Sequence, residues 1–565
     1  MKTKILFSIV LVSELASLLS FSQGLDEVVV GEKKSYKLFL AGEEAGFNTY
    51  YVESRDEEGY HIRSKVQLDV GIRMTFYEEL VLTGELAPRR YTLKIFVGDQ
   101  LQEIEGEFAR GVAKLRYRLP GEGERTSELQ TGENLVILDN NIIDHYAFIA
   151  RRYDYPLGGR QAFSAVVSQA AQCLPLTLEM TGQERVEIDG QSFDSIHLSG
   201  ALSGIGIHLW VDPTSHQLLK LAIPGQSFEA IMARELIDFP EEELEKRLAE
   251  TKGKAEEGWV PEGYGEEEVT FLNEDVKLAG TLTVPELPAE GKYPGLVFIA
   301  GSGPVDRNGN AGFMRGFLFR QMADALSKAG LVTLRYDKRG VGESSGDLKT
   351  ADLDDLTSDA AAAVNFLRSR GEVNPNRIGL IGHSEGAVIG PILCGRDPKI
   401  AASVVMAGPG RSLDRLVFDQ VEYLSRLKGL SDEEIEAELR KQKDFFEKIR
   451  NREPIQETGF FSPEWWRQHM EIAPLKNIKK VQCPILILNG AQDYQVSAVK
   501  DAQKLAEALK EVDHPDYTLK VFPNLDHLFM RVEGRSTPEL YLDSSRKIDP
   551  EVLHLLTTWL NERLQ

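Results

Sequence analysis

The strongest constraint on the fold is a regular alternation of short apolar runs and helical patterns that begins near residue 267. Continuous apolar runs are typical of strands buried on both faces, and residues between them repeat their apolar positions with a helical period. The predicted strands lie at Leu296–Ala300, Leu331–Leu334, Ile378–Ile381, Val404–Met406, Ile485–Leu488 and Leu519–Phe522. Strands that alternate with helices predict an α/β domain with a mostly parallel, doubly wound sheet over residues 267–565.

One stretch interrupts this alternation and contains only helical signals. It runs from about residue 411 to 476 and includes a charged run from Ser431 to Lys448. We interpret it as a helical cap inserted above the sheet. Its aromatic residues Phe461, Trp465 and Trp466 are candidates for binding substrate, and the alternative is that they form the core of the cap. Both roles can hold together.

The first part of the chain has a different pattern. Apolar residues alternate with polar ones around Ile62, Ile95 and Leu209, which is typical of antiparallel strands with one buried face. This predicts a separate β-rich antiparallel domain over residues 24–236, followed by a charged helix and linker over 237–266. The domain has no catalytic motif, and its histidines lack metal-ligand spacing, so we expect them to be structural. They are His61, His145, His197, His208 and His216.

The N-terminus has the order of a secretory signal peptide. Lys2 and Lys4 precede an apolar run from Ile5 to Val12, and small residues follow. The run is too short to span a bilayer well, so we expect cleavage of residues 1–23, export to the periplasm or medium, and no stable membrane insertion. An ordinary first strand or helix is the alternative.

Charge and cysteine content exclude some classes of partner and scaffold. The chain has 88 acidic against 65 basic residues, a formal net charge of −23, which argues against a nucleic-acid partner because phosphate contacts need clustered cations. Its three cysteines are too few for a disulfide framework.

The chemical signal is the pentapeptide Gly382-His383-Ser384-Glu385-Gly386, which directly follows a predicted strand and opens a predicted helix. This is the context of a G-x-S-x-G nucleophile turn, in which the serine stands at the end of the sheet. Ser384 is therefore the candidate nucleophile. The amide of Glu385, at the helix N-terminus, is a candidate donor to an oxyanion.

The same pattern occurs a second time, at Gly342-Glu343-Ser344-Ser345-Gly346. Several loop residues separate this match from the preceding strand, and no apolar helix opens at Gly346. We therefore assign the nucleophile to Ser384 and not to Ser344.

A nucleophilic serine needs a base, and the base needs an acid that orients it. Asp493 follows one predicted strand and His527 follows another, in the chain order Ser, Asp, His. Because the carboxyl ends of parallel strands share one edge, these residues are predicted to converge with Ser384. His383 and Asp526 are adjacent residues for which we expect supporting roles.

The loop after the strand Leu296–Ala300 begins Gly301-Ser302-Gly303-Pro304. This loop supplies the second oxyanion donor in such a site, and proline has no amide hydrogen, so Ser302 or Gly303 is the candidate. A flexible glycine-rich loop without this role is the alternative. Neither nucleotide-binding glycine pattern fits the segment.

Together these segments resemble the bacterial α/β-hydrolase esterases with a Gly-Ser-Gly-Pro oxyanion loop, within the group that includes serine aminopeptidase-like and dienelactone hydrolase-like enzymes. The resemblance covers about residues 265–565 and includes Asp337-Lys338-Arg339-Gly340 and Asp526-His527. It implies the α/β-hydrolase fold, no cofactor, no metal and a small carboxylic ester as substrate. The first domain resembles no family that we recognise.

Three other functions remain open at this point. The same catalytic residues serve a serine peptidase or aminopeptidase, and also a thioesterase. A third possibility, from another class, is an envelope ligand-binding protein in which the hydrolase activity is secondary.

Overall fold

The computed structural model describes residues 28–70, 73–98, 100–119, 123–237, 261–286, 291–312, 314–455 and 461–564, with Leu244, Lys246 and Leu248. The predicted signal peptide lies outside the described residues, as does most of the predicted linker. The chain divides into two compact units, Met1–Glu256 and Glu257–Gln565.

The first unit is a 15-stranded sheet built from two meanders that join where β1 pairs with β15. Every pairing is antiparallel except that of β9 with β10. The predicted β-rich antiparallel domain is thus confirmed. Its strands are β1 Lys33–Leu40, β2 Glu43–Arg55, β3 Tyr60–Asp69, β4 Arg73–Leu82, β5 Pro88–Val97, β6 Gln100–Ala109, β7 Val112–Leu119, β8 Gly123–Gln130, β9 Leu135–Ile137, β10 Arg160–Val167, β11 Gln172–Ile188, β12 Gln191–Leu202, β13 Ile205–Val211, β14 Leu218–Ile223 and β15 Phe228–Met232.

This unit also contains a helix, α1 Ile143–Arg152, that the sequence analysis did not predict. Nine of its ten residues are buried, and these include Asp144, His145 and Arg151. Charged residues on the buried faces break the apolar periodicity that marks an amphipathic helix. The helix is stable there because its polar side chains have buried partners, such as Glu32 for Arg151.

Asp144 and His145 of this helix form a buried polar network with Glu78 of β4. His145 Nε2 lies 2.7 Å from Glu78 Oε1, and the Asp139 amide donates to His145 Nδ1 at 2.9 Å. Because Nδ1 accepts, the ring proton is on Nε2 and points at Glu78. Glu78, Asp144 and His145 are close enough to surround a cation, but this tautomer leaves no lone pair on Nε2 for one. Hydrogen bonds, and not a cation, therefore join these side chains, and we call them the proton-sharing network.

Burial dominates the ionisation of this network. It raises the pKa of Glu78 to about 8, raises the pKa of Asp144 well above its usual value and lowers the pKa of His145. At neutral pH the Glu78 carboxyl therefore holds a proton that it has lost in the unfolded chain.

The second unit is an eight-stranded sheet in the order β16-β17-β19-β18-β20-β21-β22-β23. Its strands are β16 Tyr264–Asn273, β17 Val276–Pro285, β18 Tyr293–Ile299, β19 Val332–Tyr336, β20 Val373–His383, β21 Ile400–Met406, β22 Ile485–Gly490 and β23 Tyr517–Phe522. From β19 onward across the sheet all pairings are parallel. The predicted wound sheet is confirmed.

The antiparallel hairpin of β16 and β17 was not predicted. Strand β16 begins at Tyr264, inside the stretch predicted to be a linker. Its residues Glu266, Glu267 and Glu268 are exposed, as expected at the edge of a sheet. On sequence alone these charges resemble the acidic linker that precedes them.

Helices cover both faces of this sheet, and four of them occupy the interval predicted for the cap. The helices are α2 Leu318–Lys328, α3 Leu353–Ser369, α4 Gly386–Arg396, α5 Leu413–Leu427, α6 Asp432–Asn451, α7 Pro463–Glu471, α8 Pro474–Ile478, α9 Gln503–Lys510 and α10 Pro550–Leu564. Two apolar cores lie on the opposite faces of the sheet. Within the described residues, every helix falls short of the length or the hydrophobicity needed to cross a bilayer.

The proton-sharing network predicts a pH-dependent stability of the first unit. A carboxyl whose folded pKa is raised stabilises fully below its unfolded pKa of 4.5 and loses that contribution as pH rises towards about 8. Glu78→Gln removes this contribution. Between pH 5 and 8 the free energy of unfolding of the variant should therefore fall less steeply with pH than that of the unaltered chain, by about 1.4 kcal/mol per pH unit, the value for one proton. Hydrogen exchange of the α1 amides in the full chain measures it.

The glutamine has the shape of protonated glutamate and keeps an acceptor for His145. Because both proteins retain His145, the difference between their slopes isolates Glu78. Equal slopes in the two proteins would contradict the assignment of a raised pKa to this carboxyl.

Candidate functional site

Ser384 stands in a sharp turn between β20 and α4. Its φ of 56° lies in the left-handed region, which is strained for a residue with a side chain. The Ser384 amide donates to the Met406 carbonyl at 2.9 Å, a bond to the neighbouring strand that holds the turn. Ser384 is half-buried. The geometry is that of the predicted nucleophile turn.

The glycines of the motif are required by close packing. A Cβ on Gly386 would lie 2.0 Å from the Ile299 carbonyl oxygen, and one on Gly382 would lie 2.2 Å from the Gly386 oxygen. On the other side, a Cβ on Gly301 would lie 3.3 Å from Ser384 Cβ. The helix backbone and the oxyanion-loop backbone are therefore both pressed against the turn.

Asp493 and His527 meet at the same edge of the sheet. Asp493 follows the end of β22 and His527 follows the end of β23. His527 Nδ1 donates to Asp493 Oδ2 at 2.7 Å, and both side chains are buried. The other oxygen of Asp493 accepts from the amides of Gln495 and Val496. This arrangement fixes the proton on Nδ1 and leaves the Nε2 lone pair of His527 available as a base.

His383 connects the nucleophile turn to His527. Its Nε2 donates to the His527 carbonyl at 2.9 Å, and the two ring centroids are 4.7 Å apart. Burial, followed by the charge of His527, lowers the pKa of His383 to about 3. His383 therefore stays neutral, and its hydrogen bond holds the His527 loop beside the turn that contains Ser384.

Asp526 holds the same loop from the other side. Its Oδ1 accepts from the amides of Leu528 and Met530, and its Oδ2 accepts from Arg546 at 2.6 Å. Burial raises the pKa of Asp526 despite the Arg546 guanidinium. These contacts shape the turn that presents His527.

The candidate oxyanion donors lie around Gly301. Gly303 has a φ of 90°, which favours glycine, and Asp306 accepts from the amides of Asn308 and Asn310 to fold the loop that follows. In the part of the chain that the structure describes, the amides of Ser302, Gly303 and Glu385 have no hydrogen-bond acceptor. They are free to donate to a substrate oxygen.

Ser344, in the second match to the motif, has a structural set of contacts. Its Oγ donates to the Asp337 carbonyl at 2.8 Å and accepts from the Ala279 amide at 2.9 Å. The side chain is buried and both of its hydrogen-bonding functions are used. Ser344 thereby ties its loop to strand β17.

The side chain of Glu385 forms a buried cluster that the sequence analysis missed. Its Oε2 accepts from Lys338 at 2.7 Å, and its Oε1 accepts from Trp465 Nε1 at 2.6 Å and lies 2.9 Å from His469 Nε2. Burial favours the neutral acid, but the Lys338 charge and the neighbouring His469 imidazole outweigh it and lower the pKa of Glu385 to about 2. The signal available in sequence was the position of Lys338 after a parallel strand, at the same edge as Ser384.

The three candidate aromatic residues of the cap have different environments. Trp465 is buried and stacks on Phe461 with ring centroids 3.7 Å apart. Trp466 contacts Phe445 and Phe446 of α6. Trp466 thus belongs to the core of the cap, whereas Trp465 binds Glu385, the residue that follows Ser384.

A cavity of about 460 Å³ opens beside Asp493, between its loop and the cap helix α5. Tyr423 of that helix stacks on Tyr494 with ring centroids 5.0 Å apart. Among the described residues of this unit there is no group of three cation-ligating side chains within reach of one ion.

Comparison with known proteins places these residues in context. A family model described as serine aminopeptidase, S33, matches residues 316–533. Esterase EstD of Thermotoga maritima is 31% identical over 303 residues, which are 53% of this chain and 68% of that protein. The uncharacterised peptidase YtmA of Bacillus subtilis is 23% identical over 301 residues, 52% of this chain and 93% of that protein.

Among solved structures, an esterase of Pyrococcus furiosus aligns with a TM-score of 0.37 and 19% identity, over 55% of this chain and 95% of that one. The family model lies wholly within the second unit, and its span includes Ser384, Asp493 and His527.

The close packing at the turn predicts a steep penalty for one added methyl group. Gly386→Ala should lower the free energy of unfolding of the second unit by about 3 kcal/mol, because the methyl would overlap a strand carbonyl. Gly390→Ala in the same helix is the control, since the nearest atom to its Cβ outside the chain neighbours is 3.7 Å away. Alanine favours the helix, but the ring of Pro391 disfavours helical backbone in a preceding residue that has a Cβ, so stability should change by less than about 1 kcal/mol. Urea unfolding measures both, and equal stabilities would refute the packing argument.

Proposed function

Because the chain belongs to the α/β-hydrolase superfamily of serine esterases, we propose that its second unit hydrolyses small carboxylic esters through an acyl-enzyme on Ser384. The family follows from the Thermotoga relative, 31% identical over 68% of its length. The observation that most supports the assigned residues is the 2.7 Å bond between His527 Nδ1 and Asp493 Oδ2, on the loop that His383 holds beside the nucleophile turn.

The proposed reaction assigns one role to each of these residues. His527 Nε2 takes the proton of the Ser384 hydroxyl as the oxygen attacks the ester carbonyl. Asp493 keeps the imidazole in the required tautomer and stabilises its charged form. The developing oxyanion accepts from the amide of Glu385 and from that of Ser302 or Gly303.

His527 then gives its proton to the leaving alcohol. Water, activated by the same imidazole, attacks the acyl carbonyl and releases the acid. No step requires a cofactor.

A peptidase activity is the second candidate, and two observations favour it: the description of the matching family and the name of the Bacillus relative. The catalytic residues are the same for both reactions, so the leaving group separates them. Assays of an aminoacyl amide beside a p-nitrophenyl ester of the same acyl group compare the two activities directly. A thioesterase activity is tested by the matching acyl-thioester.

We further propose that the cap contributes to substrate binding. Phe461 stacks on Trp465. Trp465 in turn donates a hydrogen bond to Glu385, the residue that follows the proposed nucleophile Ser384. Tyr423 and Tyr494 line the cavity beside Asp493. Trp466 supports these residues through its packing in the cap.

The proposed setting is outside the cytoplasm. Lys2, Lys4 and the apolar run from Ile5 to Val12 support export, and the net charge of −23 supports a protein without a nucleic-acid partner. The mass of the mature chain recovered from the cell envelope or the medium tests removal of residues 1–23.

Substitution of the nucleophile tests the central claim. Ser384→Ala should lower kcat for a short-chain p-nitrophenyl ester by about 10⁴-fold or more, since the attacking oxygen is lost. A fluorophosphonate probe should label the unaltered chain at Ser384 and leave the variant unlabelled.

Ser344→Ala is the matched control. It should keep its activity and its labelling while losing about 1–3 kcal/mol of stability, because two buried hydrogen-bonding partners are left unpaired. A folded but inactive Ser344→Ala protein, or an active Ser384→Ala protein, would overturn the assignment. An unaltered chain that hydrolyses no ester and takes no fluorophosphonate label would instead favour an envelope binding protein.

A further inference from the structure

A buried ion pair lies directly beneath the site. Lys338 and Glu385 are both nearly inaccessible to solvent, with side-chain exposures of 5% and 2%, and their charged atoms are 2.7 Å apart. The triad mechanism uses neither charge. Burying two charges is costly unless further hydrogen bonds compensate, so the remaining partners of this pair indicate its role.

The second partner of Lys338 is the oxyanion loop. Its Nζ donates to the Gly301 carbonyl at 2.9 Å. Gly301 C=O and Ser302 N–H belong to the same peptide unit, which is planar and trans, so the two bonds point in opposite directions. By fixing the carbonyl, Lys338 also fixes the direction of the Ser302 amide hydrogen, which points away from the ion pair.

The second oxygen of the Glu385 carboxylate binds the cap. Trp465 Nε1 donates to it at 2.6 Å, and His469 Nε2 lies 2.9 Å away. His469 Nδ1 also donates to the Trp465 carbonyl at 2.8 Å, which orients the imidazole within helix α7. One carboxylate thus joins the residue after the nucleophile, the lysine beneath the oxyanion loop and a helix of the cap.

These contacts link both oxyanion donors. The Glu385 amide and the Ser302 amide come from segments far apart in sequence. The Lys338–Glu385 pair joins them, because Glu385 carries one amide and Lys338 binds the carbonyl of the peptide that carries the other. A shift of either charge would turn the Gly301–Ser302 peptide away from its position. Preorganised donors of this kind contribute strongly to acyl transfer, and loss of one costs about 10²–10³ in rate.

Resting on the proposed function, we propose that Lys338 and Glu385 are positioning residues that aim the Ser302 amide at the oxyanion, and that Trp465 of the cap holds this pair in place. The Ser302 amide is then the second oxyanion donor, rather than that of Gly303. Docking of helix α7 is coupled to the geometry of the oxyanion site through the Glu385 carboxylate.

The test compares Lys338→Met with the unaltered full chain on a p-nitrophenyl ester. The expected result is a fall in kcat of about 10- to 100-fold with KM changed less than about twofold, because the affected interaction is stronger in the transition state. The inhibition constant of an alkyl boronic acid, whose adduct with Ser384 has a tetrahedral oxyanion, should rise by a similar factor. If Lys338 had a purely structural role, its substitution would lower stability without lowering kcat at a nearly constant KM.

Matched controls separate positioning from general damage. Lys328→Met removes an exposed lysine that pairs with Asp324 in the same unit and should leave all three constants unchanged. If Lys338→Met does not fold, the double variant Lys338→Met/Glu385→Gln removes both members of the pair and should show the same split.

The cap contact has its own pair of variants. Trp465→Phe removes the indole N–H but keeps an aromatic ring, and should lower kcat about three- to tenfold. Trp559→Phe is the control, a buried tryptophan of α10 whose Nε1 has no partner among the described residues. It should leave kcat unchanged.

The outcomes separate this inference from the function beneath it. If the unaltered chain is not labelled at Ser384 by a fluorophosphonate, the proposed function fails, and the positioning role fails with it. If Ser384 is labelled and the folded Lys338 variants retain full kcat and boronate affinity, the inference alone is overturned. A parallel change in kcat and boronate affinity supports it.

Discussion

The geometry of the site in the second unit depends on the close approach of helix α4 to strand β18, with no side chain between the two backbones. At Gly382 and Gly386 the backbones of β20, α4 and β18 are so close that no Cβ fits between them. The helix can begin immediately after the strand because Ser384 takes a left-handed conformation. Its side chain therefore stands at the sheet edge, and the following amide is left without a partner.

The rest of the site is arranged around this turn by hydrogen bonds from loops distant in sequence. His383, the last residue of β20, holds the His527 carbonyl, and Asp526 shapes the loop on its far side. Asp493 then needs only one bond to orient the imidazole. His383 and Asp526 each adjoin a residue of the proposed triad, so a small local change at the strand ends propagates to the position of the His527 imidazole.

Buried carboxylates pair with cations in both units, as Glu32 pairs with Arg151 in the first, but two buried carboxyls of the first unit face a histidine instead. In the second unit, buried carboxylates face cations, as Glu385 faces Lys338 and Asp526 faces Arg546. In the first unit, Glu78 and Asp144 face a histidine that burial keeps neutral, and burial raises the pKa of both carboxyls. Ionised groups orient their neighbours through charge and hold their geometry across a wide pH range, whereas shared protons make stability depend on pH.

The sequence by itself determined the wound sheet, the β-rich character of the first unit and the position of the sharp turn at Ser384, because periodicity and the glycines of the motif express backbone requirements that are local. It also placed Asp493 and His527 after the correct strands. It did not predict the helix Ile143–Arg152, since charged residues on its buried faces obscure the periodicity, nor the strand Tyr264–Asn273, whose exposed face is acidic like the linker before it. Only the tertiary structure decided that Lys338, Trp465 and His469 meet at Glu385. Their positions follow from the crossing of a strand end, a helix N-terminus and a cap helix, and no spacing along the chain records which side chains such a crossing brings into contact.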